Sequence, residues 1–179
     1  MPKAHHLFAA TGWTLNAAML VSLFLIGVLM LAFGACALAA AGFIHLPIPV
    51  QDMKDLQDIP LQLILLAGAT ACASGVFLLA LLTLMLLMTA RIVKTAEADP
   101  FIEDNARRLM QIGWLLVAMQ IVGLTADMII SMFPKAVSDH VQAGFDLSPV
   151  GILAVLLIFV LAQIFRRGAQ MRAELEGTV

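Results

Sequence analysis

Asp127 is the one ionisable side chain set well inside an apolar run of this sequence. A carboxyl group there is a default candidate for contact with an ion, a proton or a ligand. It belongs to a stripe. Gly113, Gln120 and Asp127 recur every seven residues and Ser131 follows four later, a spacing that keeps all four on one helical face. Such a face could bind a ligand or relay a proton. It could equally be a structural polar clasp, with the hydroxyls of Thr70 and Ser74 at a depth where they can reach it. Two features favour the clasp. Asp127 lies only six residues before Phe133, about 9 Å along a helix and so near its outer end, and the other apolar runs offer it no charged partner.

The remaining chemistry is sparse. His5, His6, His45 and His140 all fall outside the apolar cores, so no pair of histidines can face each other as the axial ligands of a membrane haem. His5 and His6 form an adjacent pair that could touch a metal, but solvated neighbours of this kind are commonly incidental. There is no phosphate-cradling glycine loop, no zinc-type Cys/His spacing and no nucleophile elbow. Cys36 and Cys72 lie within apolar runs, where they read as small packing residues and not as a disulfide framework. The expectation is a protein that is not an enzyme and holds neither a metal nor a cofactor.

The elements that would position these residues are set by composition. The chain is 62% hydrophobic and 12% charged with a mean hydropathy of +1.01, against about 25% charged residues in an ordinary soluble domain. Four runs reach membrane-spanning length, at about 16–43, 61–90, 109–133 and 147–165. Each backbone polar group must be satisfied internally in lipid, and no alternating ten-residue segments suggest a barrel. The expected fold is therefore an all-α membrane protein, one integral domain over 1–179, with four transmembrane helices in a bundle.

The net charge of −2 says little, but the placement of Lys and Arg says more. Lys3, Arg91, Lys94, Arg107, Arg108, Arg166, Arg167 and Arg172 lie on one side of the spans, and only Lys54 and Lys135 on the other. The positive-inside rule then places both termini, the loop 91–108 and the tail 166–179 in the cytoplasm, and the loops 44–60 and 134–146 outside. The expected location is the inner membrane, crossed several times. Trp13 and Trp114 both fall at the cytoplasmic interface, where indole rings are favoured. A cleaved leader competes for the first span, since Phe33, Gly34, Ala35 and Cys36 faintly resemble a lipoprotein cleavage box. The apolar run continues past Cys36 and follows a single lysine, which argues against it.

Two small-residue runs, GACALAAAG at 34–42 and AGATACASG at 67–75, fall at similar depth in the first two spans. Small side chains let helices approach closely in lipid, so Gly34, Gly68 and Gly75 are expected packing positions, and Leu at Gly34 or Gly68 should loosen the first hairpin. A weak echo joins the two halves. Gly12, Trp13 and Leu15 precede the first span as Gly113, Trp114 and Leu116 open the third.

At the inner ends helical signals outrun the apolar limits. Asp99 and Pro100 read as N-cap and first position of the third helix, and Glu103 with Arg107 and Asp104 with Arg108 stand in the favoured i,i+4 order. That helix would start near Pro100, enter the bilayer at Leu109, and so project about 13 Å. The second helix can extend through 91–98 and the fourth through 166–176, which together make a three-helix cytoplasmic collar. The same charges could simply mark topology and snorkel to lipid phosphates.

Pro100, Phe101, Asn105, Arg108, Leu109, Ile112, Gly113 and Trp114, with Phe165, Arg166, Gly168, Leu175, Thr178 and Val179, resemble the pattern of a bacterial membrane family known as domain of unknown function 2975. The resemblance covers about the C-terminal half. The first two spans match in hydrophobicity and count. It departs at Gly177, where a bulkier residue is usual. The resemblance implies four helices without an assigned activity and, through members encoded beside a small helix-turn-helix regulator, a membrane partner for a transcription factor. The expected function is thus a non-enzymatic partner or sensor acting on a cytosolic protein through Glu103, Asp104, Arg107, Arg108, Arg166, Arg167 and Arg172. A transporter of a small molecule, lipid or proton using Gln120 and Asp127 is the alternative. Direct nucleic-acid binding is not expected, because the basic residues are interleaved with acids at the lipid surface. The sequence leaves room for a homo-oligomer.

Overall fold

The computed structural model describes residues 2–44, 59–96, 99–139, 141 and 149–176, with side chains from residue 11 to residue 175. His45, His140, Lys54, Gly177, Thr178, Val179, most of both outer loops and the side chains of His5 and His6 lie outside that set. The described chain is all α: α1 Pro2–Ala40, α2 Leu61–Ala96, α3 Glu103–Ser131, the short α4 Lys135–Ser138 and α5 Pro149–Glu176. Four of these, α1, α2, α3 and α5, are long and apolar enough to cross a membrane.

The helix ends show how the sequence stops each run. α1 ends before Phe43 because Gly42 takes a left-handed φ of 80°. The Phe43 N–H then donates to the Leu38 carbonyl at 2.9 Å and the Gly42 N–H to Ala39 at 3.0 Å, the paired bonds of a Schellman cap, which favours glycine at that position. α3 ends in a tightened turn, with Met132 and Phe133 donating to Ile129 and Ile130 before Pro134 forbids continuation. α5 opens on Pro149, whose missing N–H costs nothing at a first helical position.

The start of α3 corrects the expected cap. The helix begins at Glu103, not Pro100. Asp99 accepts the Phe101 N–H at 3.0 Å, closing an Asx turn around Pro100. The Ile102 carbonyl receives the first helical bonds, from Asn105 at 3.0 Å and Ala106 at 3.4 Å. Asp99 therefore caps the turn before the helix. The helical stretch ahead of Leu109 shortens to about 9 Å.

Contacts group the chain into two units. In the unit of residues 23–80 and 120–146, the short α4 drops Val137 into a core shared with fully buried Ala67. Ile59, Ile64, Phe133, Ala136 and Val141 pack around that pair. A methyl group added to Gly75 would come within 3.0 Å of Leu29 Cδ1, and one on Gly68 would stand 3.7 Å from Cys36 Sγ. Gly34 has nothing within 4 Å, so the close approach of α1 and α2 in this unit is made at Gly75 and Gly68 and not at Gly34.

The other unit comprises residues 1–22, 81–119 and 147–179. Ser22, only 3% exposed, meets Thr83 hydroxyl to hydroxyl at 3.0 Å. That contact ties α1 to α2 with a hydrogen bond where apolar side chains gain little by leaving lipid. Along α3 and the turn before it the partners on α5 come in opposite order, Gly168 beside Phe101 and Phe159 beside Gly113, so α3 and α5 run antiparallel.

Candidate functional site

The residues able to recognise something converge where α2 ends and α3 begins. Arg91 and Thr95 are four apart on α2, Asn105 and Arg108 three apart on α3, so each pair shares a face. Asn105 is fully buried. The Thr95 hydroxyl donates to Asn105 Oδ1 at 2.7 Å, Arg108 donates to the same oxygen at 3.0 Å, and Asn105 Nδ2 donates to the Pro100 carbonyl at 3.2 Å. A guanidinium has no acceptor atom, so the amide must turn its oxygen toward Arg108. Thr95 Oγ1 is also within 3.0 Å of the Arg91 and Ile92 carbonyls. It has one proton, and Asn105 holds the shortest contact.

Arg108 reaches further, to the Arg91 carbonyl at 3.5 Å and Thr95 Oγ1 at 3.4 Å. Its charge thus lies over the last turns of α2, where the helix dipole presents its negative end. This replaces the expected pairing of Arg108 with Asp104. The i,i+4 contact that does form, Arg107 with Glu103 at 3.8 Å, joins two exposed side chains and contributes little to stability.

α5 closes on the same turn. Asp99 forms an ion pair with Arg172, so one carboxylate both closes the Asx turn and holds α5. Phe101 packs against Phe165 with ring centroids 5.2 Å apart and planes tilted by 40°, and it fills the space that a side chain on Gly168 would need, with Cδ1 2.7 Å from a would-be Cβ. Deeper, Phe159 leaves only 2.8 Å to a Cβ on Gly113 while meeting Trp114 edge to face at 5.7 Å. Buried Ala106, Leu109 and Ile112 belong to the same stretch of α3.

These contacts leave two openings between α3 and α5. One is a cleft of ≈ 480 Å³ beside the Asp99–Arg172 pair, with Phe101, Glu103, Arg166 and Gln170 among its walls. The other is a groove of ≈ 290 Å³ bounded by Glu103, Ala106, Arg107, Met110, Ala162 and Arg166. Of the surface expected from the sequence, Glu103, Asp104, Arg107, Arg166 and Arg167 are exposed, while Arg108 is half-buried and Arg172 is engaged with Asp99.

The polar stripe divides between the two units. Gly113 belongs to the α3–α5 contact just described. Gln120 and Asp127 are half-buried and Ser131 is exposed, its hydroxyl bonded back to the Met128 carbonyl at 2.7 Å. Thr70 and Ser74 likewise bond back to Ala67 and Ala71. They line an apolar groove of ≈ 320 Å³ with Thr125, Ala126 and Ile129, not with Asp127. Among the described residues, no group of three His, Cys, Asp or Glu side chains could hold a metal ion.

Thr95 falls in no motif of the sequence, and Asn105 and Gly168 enter only through the family resemblance, without a role. A usable signal was present. Thr95 and Asn105 are short hydrogen-bonding residues placed on either side of the turn at Asp99 and Pro100, where such residues commonly organise the chain.

Residues 17–179 match the model of a family described as "Protein of unknown function (DUF2975)". No curated protein and no solved structure gives a significant match.

Proposed function

The chain belongs to the DUF2975 family, whose match takes in all but its first residues, and from that premise we propose that it is a non-enzymatic membrane protein whose α2–α3–α5 end docks a cytosolic protein. The observation that carries this reading is the division of labour among polar residues at that end. Asn105, Arg108, Asp99 and Arg172 are consumed in fixing the turn, whereas Asp104 and Arg167 stand exposed, each next in sequence to a wall of the cleft, Glu103 and Arg166. A preorganised surface of mixed charge suits recognition of a folded partner, because complementary charges steer and register the encounter.

The excess of Lys and Arg near this end supports a cytoplasmic orientation in the inner membrane. A small helix-turn-helix regulator is the partner class we infer, from the resemblance described above. The test is co-purification of the full-length protein in detergent with such a regulator encoded beside it. Asp104→Lys with Arg167→Glu should abolish recovery of the regulator while leaving the membrane protein's yield and melting temperature unchanged. Recovery that persists through this double charge reversal counts against the reading.

A further inference from the structure

The second groove has a chemistry that a soluble partner does not explain. Arg107 on α3 and Arg166 on α5 stand at its rim. Among the described residues Arg166 has no ion-pair partner, and Arg107 has only the 3.8 Å contact with Glu103, longer than a charge-assisted hydrogen bond. Each guanidinium therefore keeps most of its five donors free. The floor is apolar and closed, with Ala106 4% and Ala162 2% exposed and Met110 beside them.

Position along the helices matters as much as lining. On α3 the charged turn gives way to an apolar run at Leu109, and on α5 an apolar run ends at Arg166 and Arg167. Since α3 and α5 are antiparallel, both arginines mark the level at which a bilayer's hydrocarbon meets its headgroups. Ala162 and Met110 lie on the hydrocarbon side of that level. An anionic group held by the arginines and continuing into the floor must carry an apolar chain.

We propose that the groove between α3 and α5 binds an anionic membrane phospholipid, with Arg107 and Arg166 clamping its phosphate and Ala106, Met110 and Ala162 supporting the start of its acyl chain. Basic recesses between spans on the cytoplasmic side favour such headgroups by charge, and a planar guanidinium pair suits phosphate oxygens better than point charges would. Glu103, the one acid on the rim, is the partner that Arg107 would share with the lipid. The docking reading does not require this site, although Glu103 and Arg166 also wall the neighbouring cleft.

The test is native mass spectrometry of the full-length protein in detergent with phosphatidylglycerol or phosphatidylcholine of identical acyl chains. The expected result is a phosphatidylglycerol adduct that falls on the order of tenfold in Arg107→Gln with Arg166→Gln and survives an excess of inorganic phosphate. Arg107→Lys with Arg166→Lys should retain an intermediate amount. Arg167→Gln, which changes an arginine outside the groove, should leave the adduct as in the wild type. Equal binding of the two lipids, equal loss in Arg167→Gln, or displacement of the lipid by inorganic phosphate would each overturn the proposal, the last by making it a small-anion site.

Discussion

Asn105 is the residue on which the inner turn depends, because its side-chain oxygen accepts from both Thr95 and Arg108 while its amide nitrogen donates to the Pro100 carbonyl. Its replacement by Ala strands the Pro100 carbonyl and removes the shared acceptor of Thr95 and Arg108. Leaving the half-buried Pro100 carbonyl without its donor and losing the shared acceptor costs about 1–3 kcal/mol, so Asn105→Ala should lower the melting temperature in detergent by several degrees. An unchanged melting temperature would show that the network adds nothing. Glycines separate in the same way. Gly113→Leu and Gly168→Leu each drive a side chain into an aromatic ring and should cost about 1–3 kcal/mol, whereas Gly34→Leu meets open space and should be neutral in the same melting assay. The small-residue runs marked the right helices for close packing. They could not say which glycine makes the contact, since composition is shared along a run whereas rotation about the helix axis is not.

At the scale of elements, apolar length and turn chemistry carried most of the information. All four membrane-length helices were legible from their runs, and the Gly42 cap lay in plain view at the end of GACALAAAG. Gly42→Ala forces a side chain into the left-handed region and should destabilise α1's end by about 1 kcal/mol, whereas Gly12→Ala, with nothing within 4 Å of its added methyl, should not. Paired thermal melts of the two variants would separate the cap from a general preference for glycine. The start of α3 was misplaced because Asp99 followed by Pro100 satisfies both an N-cap and an Asx turn, and local sequence does not choose between them. Asn105 and Arg172 do, and both act across distances that a periodic pattern cannot encode. The pairing of Asp104 with Arg108 failed for a related reason. An i,i+4 contact on an exposed face is worth a few tenths of a kcal/mol, and the buried acceptors on Asn105 and α2 outweigh it.

For the whole molecule, the asymmetry of Lys and Arg makes orientation the property most open to measurement. With Cys36 and Cys72 replaced by Ala, an impermeant maleimide added to intact cells should label a cysteine introduced at Asp139 and spare one introduced at Arg167. The reverse pattern would invert the topology and remove the cytosolic partner with it. Docking at the α2–α3–α5 end is tested most directly by a photo-crosslinking residue placed at Gln170, a wall of the cleft, in living cells, with Leu157, exposed on the apolar stretch of α5, as the control position. A crosslink from Gln170 to a cytosolic protein of one defined mass, absent from Leu157 and lost in Asp104→Lys with Arg167→Glu, is the expected result; crosslinks from Gln170 only to lipid or to a second copy of the chain would contradict it.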